Sequence, residues 1–391
     1  MKSINTAEVR GKRVFVRVDF NVPLAEGTVV DDTRIRAALP TINWLVEHGA
    51  RLVLASHLGR PGGIGYEEQY SLAPVARVLG RLLGSEVVFV NEVTGKNAIQ
   101  ASLSLHDGQV MMIENLRFDA REKGNDAAFA TELAALADLY VNDAFGTAHR
   151  AHASTFSIAK LLPAYAGFLL AREVETLTGM LDNPRRPFVA ILGGSKVSDK
   201  IKVIDALLDT VDCLLIGGGM CFTFYAAQQH KIGRSLCEDE WIVPAGEMLG
   251  KAKEKGVKLL LPLDVVAADA IDATSTIELC TYDEIPDDKM GLDIGPATAE
   301  LYAREIAKAA TVFWNGPMGV FEVEQYANGT KQVARAVAAN GSADTIVGGG
   351  DSVAAIKGFG LEDKITFVST GGGAAMQLIE GAPLPGIEVL S

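Results

Sequence analysis

The sequence predicts an α/β protein of two doubly wound, Rossmann-like lobes, each on a parallel sheet, joined by a helix and separated by a cleft. Short apolar runs rich in Val, Ile, Leu and Phe recur along the chain, with longer amphipathic stretches between them. Buried strands alternating with helices are typical of parallel sheets covered on both faces. About a dozen strands exceed one open sheet, and 391 residues exceed one ordinary core. Two sheets of about six strands each are therefore expected.

The first lobe is predicted from five apolar runs, at 13–20, 51–57, 86–90, 110–115 and 139–144. The second is predicted from six runs, at 187–194, 213–219, 258–264, 311–316, 345–350 and 366–370. The helical stretch before 182–187, where two prolines and an asparagine interrupt the pattern, should bridge the lobes. We expect an amino-terminal lobe over 1–170, a hinge helix over 171–185 and a carboxyl-terminal lobe over 186–375.

Composition narrows the classes of function. A hydrophobic share of 48% against 22% charged residues indicates a folded, globular protein. The net charge of −13, without a long basic run, argues against nucleic-acid binding. With no long apolar segment and no export signal, we expect a cytoplasmic protein that does not bind membranes. The four cysteines, without a C-x-x-C pair, are expected to be reduced core thiols.

Polar and basic residues follow the first-lobe strands, at the edge where parallel sheets bind ligands. The carboxyl-end residues are Asp19, Asn21, His57, Arg60, Asn115, Arg117, Asn142 and Asp143, and Arg34 and Arg150 lie in nearby loops. Four guanidinium groups and a histidine facing one crevice would suit a small substrate with carboxylate or phosphate groups. Each basic residue alone is more often a solvated surface group, so the hypothesis depends on their shared placement.

Glycine clusters follow the second-lobe strands, at 193–194, 217–219, 348–350 and 371–373. Backbone N–H groups at such positions can approach phosphate oxygens, and a helix that starts there adds its positive end. Lys196 and Lys200, four residues apart, are predicted to share one face of the following helix. Asp351 could hold Mg²⁺, although alone it would more often be a helix N-cap. Tight turns or helix caps remain an alternative for each glycine run.

Several familiar signatures are absent. The chain has no G-x-x-x-x-G-K-[ST], no G-x-G-x-x-G and no G-x-S-x-G, which disfavours P-loop enzymes, dinucleotide-dependent dehydrogenases and serine hydrolases. A two-lobed solute-binding protein is a second alternative, and its export signal is missing.

Eight motifs, in order along nearly the whole chain, resemble those of the phosphoglycerate kinase family. They are RVDFNVP (17–23), SHLGRP (56–61), ENLRF (114–118), DAFGTAHRAH (143–152), ILGGSKV (191–197), WNGPMGVFE (314–322), GGGDS (348–352) and STGGGA (369–374). The resemblance implies reversible phosphoryl transfer between 1,3-bisphosphoglycerate and ADP, giving 3-phosphoglycerate and ATP, in glycolysis and gluconeogenesis. It also implies that 376–391 packs back on the first lobe.

The family's site residues carry over by motif. For 3-phosphoglycerate they are Asp19, Phe20, Asn21, Arg34, His57, Leu58, Gly59, Arg60, Arg117, Gly146 and Arg150. For MgATP or MgADP they are Lys196, Lys200, Gly217, Gly218, Gly295, Asn315, Glu322, Gly348, Gly349, Gly350, Asp351 and Ser352, with Asp351 on the metal. The catalytic set is Arg34, Lys196, Gly350 and Gly373. Ser352 stands where many members have threonine, and Gly62–Gly63 where bacterial relatives often have a lysine.

A carboxylate acceptor is already an anionic nucleophile, so no general base is required. We expect Arg34 and Lys196 to stabilise the phosphoryl group in an in-line transfer, with the lobes closing about the hinge helix to exclude water. Nothing in the sequence requires an oligomer, and a monomer is expected.

Overall fold

The computed structural model describes the whole chain, residues 1–391, as two compact units. Unit 1 contains Met1–Thr176 and Pro383–Ser391, and unit 2 contains Leu177–Ala382. No helix has both the length and the apolar character needed to span a bilayer. The division into a substrate lobe, a hinge and a nucleotide lobe is functional and stays a prediction.

Unit 1 is an α/β unit with a six-stranded sheet in the order β5-β6-β4-β1-β7-β8, in which every neighbouring pair is parallel. Its strands are β1 (Arg13–Val18), β2 (Leu24–Ala25), β3 (Thr28–Val29), β4 (Arg51–Ala55), β5 (Val87–Val90), β6 (Val110–Ile113), β7 (Leu139–Asp143) and β8 (Ala164–Ala166). Its helices are α1 (Thr33–Glu47), α2 (Ala73–Leu83), α3 (Lys96–Ser104) and α4 (Ala127–Ala134). Helix α5 (Phe168–Asp182) then leads into unit 2.

Unit 2 has its own six-stranded parallel sheet, in the order β11-β10-β9-β15-β16-β17, and a three-stranded antiparallel sheet, β13-β12-β14. Its strands are β9 (Phe188–Leu192), β10 (Cys213–Ile216), β11 (Lys258–Leu260), β12 (Asp264–Ala268), β13 (Glu278–Thr281), β14 (Met290–Ile294), β15 (Thr311–Asn315), β16 (Asp344–Gly348) and β17 (Phe367–Val368). Its helices are α6 (Ile201–Leu207), α7 (Cys221–Ala227), α8 (Ile242–Lys255), α9 (Pro296–Lys308), α10 (Asn328–Ala339), α11 (Gly350–Gly358) and α12 (Gly373–Ile379); α13 (Pro385–Glu388) returns to unit 1.

The predicted two-lobed, parallel α/β fold is confirmed, and each of the eleven apolar runs contains a strand of one of the two large sheets. The central strands are apolar because both of their faces are covered. In β9 all five residues are buried, and in β1 all but Arg13 are. This covering leaves most polar residues of the two large sheets near the strand ends, and Arg17 inside β1 is an exception.

The strand order fixes where ligands can bind. In unit 1 the chain adds strands first on one side of β1 and then on the other, beginning with β7. In unit 2 it does the same around β9, with β15 beginning the second side. Loops leaving the carboxyl ends of such strands diverge and open a crevice. The motifs at 17–23 and 143–152 end at the first crevice, and those at 191–197 and 314–322 at the second.

The last residues of the chain belong to unit 1. The Lys2 amide donates to the Leu390 carbonyl at 3.1 Å, and the Gly386 amide to that of Ala148 at 2.9 Å. Asn142 Nδ2 donates to the Gly386 carbonyl, also at 2.9 Å. Met376 lies earlier, in α12 of unit 2, so the segment held by unit 1 is Pro383–Ser391.

Candidate active site

Unit 1 concentrates positive charge at its crevice. Four arginines and a histidine, which we call the arginine cluster, lie near one another: Arg17, Arg34, His57, Arg117 and Arg150. The carboxylates among them are Asp19 and Glu122. Four guanidinium charges against two carboxylates leave an excess of positive charge, which a bound anion would offset.

Asp19, which follows β1, pairs with Arg34 of α1. Its Oδ2 accepts a hydrogen bond from Arg34 Nη1 at 2.7 Å. Burial raises the pKa of Asp19, but the charges of Arg34, His57 and Arg17 outweigh it and the net pKa lies below the usual value. Asp19 therefore stays ionised and holds the Arg34 guanidinium, which remains about one-third exposed.

Arg117 is partly buried among like charges of the arginine cluster. Its Nη1 donates to the Gly59 carbonyl at 2.7 Å, whereas its buried Nε has no hydrogen-bond partner. Burial, followed by the charges of Arg17 and Arg150, lowers its pKa to about 10. An unsatisfied donor in a field of like charges is favourably placed to receive an anion.

Three predicted substrate residues, Phe20, Asn21 and Leu58, are engaged within the protein itself. Asn21 Oδ1 accepts from the Gly59 amide at 2.8 Å, and the Phe20 amide donates to Ser56 Oγ at 2.8 Å. The side chains of Phe20 and Leu58 are buried in the core. These two side chains are therefore not available to a ligand.

The remaining predicted substrate residues are more open. Arg150 is exposed, and its Nε donates to His149 Nε2 at 3.0 Å. Gly146 is half-buried in the turn Phe145–Thr147. Arg60 is exposed, and no hydrogen bond or ion pair joins it to the arginine cluster.

In unit 2, Lys200 and Asn315 meet at the second crevice. Lys200 Nζ donates to Asn315 Oδ1 and lies 3.7 Å from Met376 Sδ. Burial lowers the pKa of Lys200, opposed by the charges of Asp199, Asp351 and Glu380. Asn315 Nδ2 is buried without a hydrogen-bond partner. A half-buried ammonium beside an unused amide donor can bind phosphate oxygens.

The predicted nucleotide glycines divide into two groups. A Cβ at Gly217 would lie 2.5 Å from Met318 Sδ, one at Gly218 2.5 Å from the Gly194 carbonyl oxygen, and one at Gly295 2.2 Å from Asp264 Cγ. These glycines let the protein's own loops pack closely. A Cβ at Gly350 would meet nothing within 4 Å, and one at Gly349, where φ is +92°, would lie 2.7 Å from Asn315 Nδ2. Gly348 ends β16 and Gly373 begins α12.

The prediction that Lys196 and Lys200 share a helix face is wrong. Helix α6 begins at Ile201, with Lys200 at its N-cap, and Lys196 lies in the preceding loop. The amides of Lys200 and Ile201 both donate to the Val197 carbonyl at 2.8 Å, which makes a turn before the helix. Lys196 is exposed there.

The remaining predicted residues flank this crevice. Asp351 is exposed in the first turn of α11, whose N-cap is Gly349, so Asp351 is not the cap. Ser352 is buried, and its Oγ accepts from the Gly316 amide at 2.5 Å. Glu322 is exposed in the loop after β15.

Comparison with known proteins decides between the alternatives. A model of the family described as phosphoglycerate kinase matches residues 4–382. The chain belongs to the phosphoglycerate kinase family. It is therefore a phosphotransferase of glycolysis that uses ATP, and the dehydrogenase and solute-binding alternatives are set aside.

Two solved phosphoglycerate kinases share the fold over nearly their whole length. Phosphoglycerate kinase from Coxiella burnetii has 44% sequence identity to this chain. Its structure matches with a TM-score of 0.90 over 99% of this chain and 98% of that one. The enzyme from Pyrococcus horikoshii OT3 is 33% identical, with a TM-score of 0.87 over 100% of this chain and 98% of that one.

Sequence reasoning missed the buried hydrogen bonds of Arg17 and Ser154, and it placed Asn115 at a strand end without its hydrogen-bond partners. Arg17, 1% exposed, donates through Nε to Ser154 Oγ at 2.9 Å, and Ser154 Oγ donates to Glu122 Oε1 at 2.6 Å. Asn115 accepts from the Leu58 and Arg117 amides and donates to the Leu58 and Tyr70 carbonyls. The available signal was an arginine inside an otherwise apolar strand, since a buried charge requires partners.

Proposed function

We propose that this kinase transfers the phosphoryl group directly and in line between 3-phosphoglycerate held on unit 1 and a nucleotide held on unit 2. The arginine cluster carries the assignment of 3-phosphoglycerate to unit 1. Its four positive charges outnumber the negative charges of the two carboxylates beside it. A substrate with one carboxylate and one phosphate supplies the missing negative charge.

The proposed substrate contacts follow from the donors that are free. Arg117 Nε lacks a partner, and the Arg34 guanidinium is tied to Asp19 by one of its nitrogens. Arg150 is exposed at the rim, as is Arg60. We assign the phosphate and carboxylate of 3-phosphoglycerate to these groups and His57, with Asp19 holding Arg34 and the Gly59 carbonyl holding Arg117.

Lys200, Asn315 and Gly348–Gly350 are proposed to hold the nucleotide phosphates. Lys200 supplies charge, Asn315 Nδ2 an unused donor, and Gly349 the space beside it. Gly217, Gly218 and Gly295 would shape the base site, because their missing Cβ atoms let the loops pack. Glu322 would reach the ribose, and Ser352 would hold the Gly316 backbone in place.

Magnesium fits this site only if the nucleotide phosphates and water supply most of its ligands. No group of three or more His, Cys, Asp or Glu side chains is arranged to hold a metal alone. Asp351 is exposed near Lys200, and one carboxylate suffices when phosphates and water complete the octahedron. When bound, Mg²⁺ would neutralise nucleotide phosphate charge at Asp351.

The chemistry needs positioning and charge rather than a base. The glycerate carboxylate attacks phosphorus, its new P–O bond forms as the bond to the ADP oxygen breaks, and no proton moves. Arg34 and Lys196 would stabilise charge on the transferring group, with the amides of Gly350 and Gly373 at two helix starts. Closure of the two units about α5 would bring the two substrates together and exclude water from the acyl phosphate.

The experiment couples consumption of ATP and 3-phosphoglycerate to enzymatic reduction of the acyl phosphate product. We expect magnesium-dependent turnover by a monomer, as for a cytoplasmic glycolytic enzyme. ATP with its γ-phosphorus made chiral by oxygen isotopes should give inversion at phosphorus. Retention would indicate a phosphoenzyme and would contradict direct transfer.

A further inference from the structure

Arg17 is buried beneath the proposed substrate site with all three of its nitrogens in use. Nε donates to Ser154 Oγ at 2.9 Å, Nη1 to the Val18 carbonyl, and Nη2 faces His57 Nδ1 at 3.2 Å. Partners on three sides fix the guanidinium plane. A buried charge held this closely is a poor way to gain stability alone, because desolvation offsets its attraction to carboxylates.

The hydrogen bonds behind Arg17 have a defined polarity. Ser154 Oγ donates its single proton to Glu122 Oε1 at 2.6 Å, which leaves its lone pairs for Arg17 Nε. The Ser154 amide also donates to Glu122, at 3.0 Å, and the Tyr140 hydroxyl holds the Ser154 carbonyl at 2.9 Å. The hydroxyl of Ser154 is thus fixed as the acceptor for Arg17.

The far end of this chain of contacts determines which nitrogen of His57 carries a proton. A guanidinium only donates, so the ring nitrogen that faces Arg17 Nη2 must present a lone pair. The competing acceptor, Asp19 Oδ1, lies 3.8 Å from Nδ1, beyond hydrogen-bond distance. Burial, with the charges of Arg17, Arg117 and Arg34, holds the pKa of His57 well below its usual value although Asp19 opposes them.

We propose that Arg17, anchored by Ser154 and Glu122, is a positioning residue that holds His57 as the neutral Nε2–H tautomer. This inference rests on the proposed function, since it gives His57 a donor for an anionic substrate oxygen. The opposite tautomer would present a lone pair to that oxygen and repel it. Arg17 thereby acts through His57 without touching the reacting atoms.

The direct test is long-range ¹H–¹⁵N correlation spectroscopy of the histidine-labelled protein without ligands, with His57 assigned by loss of its signals in His57→Gln. We expect the proton on Nε2 of His57. In Ser154→Ala this preference should weaken, and KM for 3-phosphoglycerate should rise on the order of tenfold, since a charge-assisted hydrogen bond loses its alignment. KM for MgATP should stay unchanged.

The matched control is Ser102→Ala. Ser102 is also fully buried in unit 1, and its Oγ also accepts from an arginine, Arg13 Nη1 at 3.3 Å, but it lies outside the arginine cluster. This variant should change neither the tautomer nor either KM. Should Ser154→Ala fail to fold, Glu122→Gln and the wild-type spectrum still test the proposal.

Two results would overturn the inference. One is a proton on Nδ1 in the wild-type protein. The other is a Ser154→Ala protein that is less stable but keeps the tautomer and the KM for 3-phosphoglycerate, as a purely structural role predicts. The proposed function fails separately, if the wild-type protein does not turn over ATP with 3-phosphoglycerate, because the tautomer is measured without substrate.

Discussion

Gly59 shows how a single position shapes the crevice of unit 1. Its φ is +63°, and a Cβ there would lie 2.3 Å from Tyr70 Cδ1. Its carbonyl accepts from Arg117 and its amide donates to Asn21. The left-handed conformation thus directs both backbone groups of one residue to site side chains.

Replacing Gly59 by alanine should cost about 2 to 4 kcal/mol of unfolding free energy, from the positive φ and the clash with Tyr70. Gly84→Ala is the control, because Gly84 has φ of +65° but nothing within 4 Å of its Cβ. It should lose only about 1 kcal/mol. Urea denaturation measures both, and equal losses would show that the Tyr70 contact does not matter.

Arg34→Ala should lower kcat by roughly 10²- to 10³-fold if Arg34 stabilises charge in the transition state. Arg36→Ala is the control on the same helix, since Arg36 is exposed and pairs with Asp32 at 2.8 Å. It should leave kcat unchanged. Steady-state kinetics by the coupled assay decides, and a folded Arg34→Ala protein with wild-type kcat would remove Arg34 from the mechanism.

At the scale of elements, the sequence predicted the parallel strands well because they are buried on both faces and so read as continuous apolar runs. It missed β8 (Ala164–Ala166), whose three residues are too few to show a pattern. It also missed the antiparallel sheet: β12 (Asp264–Ala268) merges with the apolar run before it, and only Cys280 is buried in β13 (Glu278–Thr281). Such strands depend on contacts that local sequence does not reveal.

The site was predicted less completely than the fold. Strand ends predicted that Asp19, His57 and Arg117 lie together, because carboxyl ends of parallel strands meet at one edge. Asn315 was expected only from the family resemblance. The prediction of one helix over Lys196 and Lys200 is wrong, because hydrogen bonds to the Val197 carbonyl make a turn before α6 begins. Ser154, which accepts from Arg17 Nε, lies 137 positions away in the chain, and no local pattern encodes such a partner.

Asp143 links β7 to the first turn of α5. Its Oδ1 accepts from the amides of Leu169 and Leu170 at 2.9 and 3.2 Å, whereas its buried Oδ2 has no partner. Burial raises the pKa of Asp143 to about 7, although hydrogen bonds from Thr41 and these amides oppose it. The folded protein therefore keeps a proton on Asp143 that the unfolded chain releases above about pH 4.

The sign of the pH effect follows. Because the folded state binds the extra proton, Asp143 lowers the unfolding free energy as pH rises from about 4 to its folded pKa of about 7. Asn at this position keeps an acceptor oxygen and cannot ionise. Asp143→Asn should therefore be more stable than the wild type by a few kcal/mol at pH 8, with a much smaller difference at pH 5. Urea denaturation at both pH values measures this, and an equal difference at both would show that Asp143 does not titrate there.

At the scale of the whole molecule, the two units share one sheet architecture but differ in the residues at their strand ends. Each has six parallel strands and a reversal of chain direction in its sheet. Unit 1 places guanidinium groups at that point, and unit 2 places glycines, Lys200 and Asn315. A net charge of −13 does not prevent anion binding, because positive charge is concentrated locally in unit 1.

The separate binding of the two substrates is the central claim, and calorimetric titration of two variants tests it most directly. Arg117→Ala should bind 3-phosphoglycerate at least about tenfold more weakly and MgADP normally, whereas Lys200→Ala should show the reverse, because each removes one charged donor. If Arg117→Ala instead weakened MgADP as much as 3-phosphoglycerate, or changed neither, the assignment of one substrate to each unit would be contradicted.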